Sequence, residues 1–170
     1  IEITNSGLAN ARNVGAKIAA GKYLTFLDPD DKIEPDYYQR AVDILKSKKN
    51  VCFVGCWAKY FEGSKNIWPA FTPEPPYILY HNMINSSALL YNRESFIKNG
   101  QNDYALEYGR EDWASVISLL KNGHAGVVIP QPLWNYRVRK SSMYRSLTEA
   151  KMLFSLDYIS NKHKEFYEKY

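Results

Sequence analysis

The sequence predicts an α/β domain with a mixed sheet, on three observations. Short apolar runs alternate with helix-like segments over the first half. In the second half the strand-like runs follow one another more closely, as locally paired strands do. The chain has 170 residues, 45% of them hydrophobic, which is enough for one packed core and too little for two.

Each element has a local reason. Residues 9–20 are Ala-rich, carry Val14 and Ile18 four apart, and stop at Gly21, so a helix is expected. Residues 23–27 form an apolar run of the type found in parallel strands covered on both faces. Pro35 suits the first turn of a helix in which Tyr38, Val42 and Leu45 share one face up to Lys48. A long strand is expected at 51–61. Residues 62–76 hold Gly63, Pro69, Pro73, Pro75 and Pro76 and read as a loop long enough to carry function. A strand at 87–91 and a short helix at 93–98, ended by Gly100, come next. Residues 111–122 form a helix with Val116, Leu119 and Leu120 inward, ended by Gly123. Residues 127–129 and 133–138 read as two strands joined through Pro130 and Pro132. Residues 148–170 read as a helix or helix pair. There is no internal repeat and no low-complexity stretch.

Composition narrows the function classes. A net charge of +4 suggests an acidic partner only weakly. The aromatics are not interleaved with basic residues at a nucleic-acid-reading spacing. No apolar run is long enough to span a bilayer, and no signal peptide opens the chain. Cys52 and Cys56 lie about 13 Å apart along an extended strand, at ~3.3 Å per residue, too far for a disulfide. Free thiols fit a reducing cytosol. His81, His124 and His163 show no ligand spacing.

Four stretches could carry chemistry. "YLTFLDPDD" ends an apolar strand in Asp28, Asp30 and Asp31. Carboxylates this crowded suit Mg²⁺ or Mn²⁺ beside a substrate phosphate, or else cap the following helix. "REDW" opens a helix with Glu111 and Asp112, either a general base or a favourable charge on the helix dipole. Trp113 beside them either stacks on a sugar ring or belongs to the core. "NSGLANARN" holds Asn5, Gly7, Arg12 and Asn13, an ordinary helix start in which Arg12 could orient a phosphate. "YRVRKSSMYR" gathers Arg137, Arg139, Lys140 and Arg145, which could neutralise a diphosphate or form a solvated basic surface.

Taken in order, "NSGLANARNVGAKIAAGKYLTFLDPDD", "NGQNDYALEYGRED" and "PLWNYRVRKSSM" resemble family 2-type glycosyltransferases of the GT-A fold. The resemblance runs from Ile1 to about Arg145. It implies a mixed, mainly parallel sheet flanked by helices, with a GT-A-like domain at 1–145 and a helical extension at 146–170 packed on it. By resemblance, Asp28 and Asp30 form an Asp-x-Asp motif that binds a divalent cation, Mn²⁺ or Mg²⁺, and the donor diphosphate. Asp30 is the direct metal ligand, Asp31 a supporting one. Asn5, Arg12, Asp28 and Arg137 fall on the donor side. Asp112 is the base, with Glu111 next to it, and Trp113 shapes the acceptor side.

The implied reaction is metal-dependent, inverting transfer of a sugar from a nucleotide-sugar to an acceptor hydroxyl, in cell-surface polysaccharide or glycan synthesis. A glycan or lipid-linked acceptor and a cytoplasmic location, with peripheral contact at the cytoplasmic face of the membrane, complete the expectation. No nucleic-acid partner is expected. A carbohydrate-binding scaffold derived from such an enzyme, and a Mg²⁺-dependent phosphotransferase or hydrolase, are the other readings. The chain opens in mid-pattern, without Met. It is therefore expected to be an N-terminally truncated piece lacking the base-binding strands, inactive alone and prone to self-association at a bare strand edge.

Overall fold

The computed structural model describes residues 2–139 and 147–170. Its elements in chain order are α1 Leu8–Ile18, β1 Tyr23–Thr25, β2 Lys32–Ile33, α2 Tyr37–Ser47, β3 Val51–Glu62, β4 Ile67–Trp68 and α3 Tyr77–Tyr80. After a 3-10 turn at Ser86–Ala88 come β5 Leu90–Asn92, α4 Arg93–Asn99, α5 Glu111–Lys121, β6 Ala125–Val138, α6 Glu149–Lys162 and α7 Lys164–Glu168.

The sheet runs β1-β5-β3-β6-β2, with β4 added on β3. It is mixed, but the expectation of mainly parallel pairing is corrected. Among the described residues only β3 and β6 pair in parallel, and the other four pairings are antiparallel. β1, read as a parallel-type strand, pairs antiparallel with β5.

The parallel pair is the spine of the sheet, and its second strand differs from expectation. β6 is one strand of 14 residues where two were expected. Pro130 and Pro132 do break the ladder: the register jumps from Cys56↔Ile129 to Trp57↔Pro132 and then Ala58↔Trp134. The strand continues past them because prolines are tolerated where pairing is irregular. Close packing also fixes a neighbour: a Cβ on Gly126 would lie 2.0 Å from the Phe53 ring.

Two cores flank the sheet. On one face α2 packs Tyr37 and Ala41 against Val54, Cys56, Leu90 and Trp134. The Tyr37 hydroxyl reaches the Ala88 and Val54 carbonyls at 2.8 and 3.0 Å. On the other face α4, α5, α6 and α7 contribute Phe96, Trp113, Ile117, Ile159 and Phe166. Residues 148–170 are thus a helix pair that shares this core, and Tyr167 donates its hydroxyl to the Leu79 carbonyl at 2.6 Å.

Residues 62–76 are not all loop, since Ile67 and Trp68 form the short β4. The strand expected at 87–91 begins only at Leu90, after the 3-10 turn. Between β4 and the 3-10 turn the chain is tied inward by Trp57, whose indole donates to the Ala70 carbonyl at 2.9 Å, and by Ile78, Leu79 and Ile84, all at most 1% exposed. Both cysteines are free and buried on β3, and burial pushes each thiol up to about 12. They are inert core residues.

Candidate active site

β1 leads into a turn, Asp28-Pro29-Asp30-Asp31, closed by the Asp31 N–H donating to the Asp28 carbonyl at 3.0 Å. Proline fits the second position because its φ is preset. The turn sorts the crowded carboxylates. Asp31 points inward and is 8% exposed. Its Oδ2 accepts the Trp134 indole N–H at 3.0 Å and its Oδ1 the Arg137 backbone N–H at 2.9 Å. Burial pushes this carboxyl up to about 6 against the pull of both hydrogen bonds, and Asp28 and Asp30 add to the rise. With both oxygens engaged, Asp31 pins the turn to β6. Expected as a supporting metal ligand, it has both oxygens on protein N–H donors instead. Asp28 and Asp30 stay half-exposed, each beside one guanidinium: Arg12 at 3.2 Å and Arg139 at 3.1 Å.

The second acidic pair sits at the start of α5. The residue before it, Arg110, has φ 72, a left-handed conformation that turns the chain sharply into the helix. Glu111 is buried at 4% exposure, and Arg12 donates to its Oε1 at 2.8 Å. Burial and then the neighbouring Asp112 push the Glu111 carboxyl up to about 7, while Arg12 pulls it back. Asp112 is half-buried, and its Oδ1 accepts the Trp113 backbone N–H at 2.7 Å. Trp113 is 1% exposed and donates its indole N–H to the Ile78 carbonyl at 2.8 Å. It is a core residue with no open ring face for a sugar, which corrects its acceptor-side expectation.

Arg12 and Asn13 are adjacent, buried residues on α1, and both reach across the chain. Arg12, expected on the donor side, spends its guanidinium on Glu111 and Asp28 of this same chain. Asn5 lies in the exposed segment before α1, where its Oδ1 accepts the Gly7 N–H at 3.3 Å. Arg137 donates Nε–H to the Asp30 carbonyl at 3.0 Å and pairs with the Glu62 carboxylate at 2.8 Å, with its guanidinium over Phe61. It therefore holds the turn from the β6 side. Lys140 and Arg145 lie outside the described residues.

The fit to a divalent cation rests on the donors. Asp28 and Asp30 supply hard, half-exposed oxygens on one turn, the type that Mg²⁺ and Mn²⁺ take. Among the described residues no group of three or more His, Cys, Asp or Glu side chains converges on one point. Two carboxylates suit a cation that completes its shell from diphosphate and water.

Sequence reasoning missed the internal partners of the site. Glu62 and Trp134 give no local signal, because their partners lie on other elements. Asn13 was visible beside Arg12, but its partner Asn102 lies 89 residues away.

A family model described as "Glycosyl transferase family 2" matches residues 2–100. An uncharacterized glycosyltransferase of Haemophilus influenzae is 28% identical over 166 residues, covering 92% of this chain and 55% of its own length. The minor teichoic acid biosynthesis protein GgaB of Bacillus subtilis is 26% identical over 148 residues, 80% of this chain and 16% of GgaB. The chain thus spans about half of the first relative and a smaller part of the second. Among solved structures, S. aureus TarS 1–349 in complex with UDP-GlcNAc matches with a TM-score of 0.67 at 17% identity, over 92% of this chain and 46% of that one. GalNAc-T7 with UDP, GalNAc and Mn²⁺ matches with a TM-score of 0.62 at 17% identity, over 81% and 32%.

Proposed function

The chain belongs to glycosyl transferase family 2 and has the GT-A glycosyltransferase fold, and from that premise we propose that the intact protein transfers a sugar from a nucleotide-sugar to an acceptor hydroxyl with inversion. One observation carries this reading. Arg12 joins the acidic turn and the acidic helix start, so two carboxylate pairs distant in sequence form a single site.

In this reading Asp28 and Asp30 hold a divalent cation together with the donor diphosphate. When bound, the cation supplies charge neutralisation for the departing nucleotide diphosphate. GalNAc-T7 was solved with Mn²⁺ and UDP, which supports the choice. Asp112 accepts the proton of the acceptor hydroxyl as that oxygen bonds to the anomeric carbon. The bond from that carbon to the diphosphate oxygen breaks on the opposite face, and the electron pair leaves with the diphosphate. Glu111 stays inside, paired with Arg12. Arg137 supports the turn and lies on the leaving-group side.

The relationship to GgaB, a teichoic acid biosynthesis protein, supports a role in cell-surface polysaccharide synthesis; the acceptor in this reading is a glycan or lipid-linked glycan at the cytoplasmic face of the membrane. No helix among the described residues is long and apolar enough to cross a membrane. Leu153, Phe154 and Leu156 are exposed on α6, which supports peripheral contact there. Residues 146–170 are then an extension that steadies the domain. β1 ends the sheet order, which supports self-association of the chain at that edge.

The test uses the intact protein with a panel of nucleotide-sugars and Mn²⁺. Asp112→Asn should lower transfer by about 10²-fold or more with donor binding retained. Wild-type transfer in that variant would refute the base assignment.

A further inference from the structure

We propose that Arg12 is a positioning residue: with Asn13 it sets the spacing between the donor-side turn and the base-bearing start of α5, and it does not touch the donor. The inference rests on the transferase reading above and goes on to assign how the two halves of its site are held in register.

The geometry is a brace built on one helix. Arg12 is 9% exposed, so its guanidinium faces protein. One nitrogen meets Glu111 Oε1 at 2.8 Å and another meets Asp28 Oδ1 at 3.2 Å. Its plane lies over the Phe26 ring at 5.7 Å, and Phe26 in turn packs on Phe96 at 5.2 Å. Arginine is the residue for this task because its donors are fixed in a planar fork. A lysine ammonium can approach one carboxylate well, but two carboxylates on separate elements need two donors at a set separation.

Asn13 supplies the second point. Its Nδ2 donates to the Asn102 carbonyl at 2.7 Å, and its Oδ1 accepts the Asn102 N–H at 2.9 Å. Asn102 lies near the start of the irregular segment 100–110, and Glu111 follows directly on its end. Both ends of that segment are therefore clamped to the same turn of α1, which also holds Asp28. On α5, Ser115 hydrogen-bonds the Gly100 carbonyl and closes the bracing from the far side. Asp112 has no such tie to α1. Its position follows from Glu111 beside it. A shift of about 1 Å between a base and the reacting centre can cost roughly 10²-fold in rate, so a brace at this point acts on turnover and not on donor affinity.

The experiment is a double-mutant cycle in the intact protein, reading kcat and donor KM with nucleotide-sugar and Mn²⁺. Arg12→Lys keeps the charge and one contact, and it serves if Arg12→Met fails to fold. Arg12→Lys should lower kcat about 10-fold to 100-fold with donor KM within about 3-fold of wild type. Combined with Asp112→Asn it should cost little more than Asp112→Asn alone, because a misplaced base and an absent base are one defect. A donor KM raised in proportion, with kcat kept, would mean that Arg12 contacts the donor and would overturn the proposal. Losses that multiply in the double variant would overturn it too. Asp112→Asn alone reads the base assignment separately. A wild-type rate there removes the base assignment and this inference together, no transfer by the unaltered protein removes the transferase reading, and multiplying losses on an impaired Asp112→Asn remove only the inference.

Discussion

The acidic turn after β1 and the acidic start of α5 meet at one guanidinium, yet each buries its inner carboxylate in a different way. At the turn, Asp31 is held by an indole N–H and a backbone N–H, both neutral. At the helix, Glu111 is held by the charged Arg12. In both places the neighbouring carboxylates, Asp28 and Asp30 or Asp112, remain partly open. Within each cluster, then, one carboxylate serves the fold and another stays partly open to solvent. Crowded acidic residues are a poor count of ligands, because burial divides them before any ligand arrives.

Exchanging roles between the two kinds of carboxylate tests this division. The largest effect should come from Asp30→Ala, an outward residue on a solvated turn. Mn²⁺-dependent turnover of the intact protein should vanish while its melting temperature barely moves. Retained turnover would break the comparison on the turn side.

Asp31→Asn should do the reverse. An asparagine offers one acceptor oxygen where two N–H donors point, so one donor meets an amide NH₂. The expected loss is about 1–3 kcal/mol of stability, read as a fall of about 2–4 °C in Tm per kcal/mol. Turnover per folded molecule should fall far less than in Asp30→Ala.

A smaller effect separates the inner carboxylates by pH. Asp31 rises from 3.8 to about 6 on folding, and Glu111 from 4.5 to about 7. A group whose folded pKa is raised stabilises fully below its unfolded pKa and loses that contribution as pH rises through the folded value. Thermal melts should show the Asp31 part of this decline between about pH 4 and 6 disappear in Asp31→Asn. In Glu111→Gln the Glu111 part, between about pH 4.5 and 7, should disappear instead. If both variants keep the wild-type slope, the inner carboxylates are not the source.

The smallest effect lies away from both clusters and serves as the contrast. His163, between α6 and α7, is 4% exposed, and burial lowers it to about 4, with Lys162 and Lys121 adding to the fall. Its stabilising effect is whole above pH 6.5 and is lost as pH falls toward 4, opposite in sign to the carboxylates. His163→Gln should remove that acid-side slope without changing turnover at neutral pH.

Much of this arrangement was legible in the sequence, and the rest was hidden for identifiable reasons. α1, α4 and α5 follow from apolar spacing and glycine stops, and β3 from a long apolar run. β6 was split in two because Pro130 and Pro132 are local signals, while the parallel partner that carries the strand across them is not. β4 has two residues, too few for a pattern. At the site, three carboxylates in four positions announced a special turn, and Pro29 made the turn itself readable. Which carboxylate faces inward depends on Trp134, 103 residues from Asp31. Arg12 looked like a phosphate contact because arginines at helix starts often are, and its partner Glu111 lies 99 residues away. Trp113 was open to two readings until its burial placed it in the core.

The inward ties of the stretch between β3 and β5 bear on how such enzymes can be recombined. Ile78, Leu79 and Ile84 are interior residues, and Ala70 receives the Trp57 indole, so everything from Ala70 onward belongs to the body of the domain. Gly63 belongs to it as well, since a Cβ there would lie 2.7 Å from the Val138 carbonyl. Between these limits, residues 64–69 meet the rest through the edge pairing of β4, the Trp68 ring on Tyr60 and the Asn85 amide donating to the Trp68 carbonyl. A chimera that borrows only these six positions from a relative should fold, and one whose seams fall inside 70–84 must carry a matching interior with it.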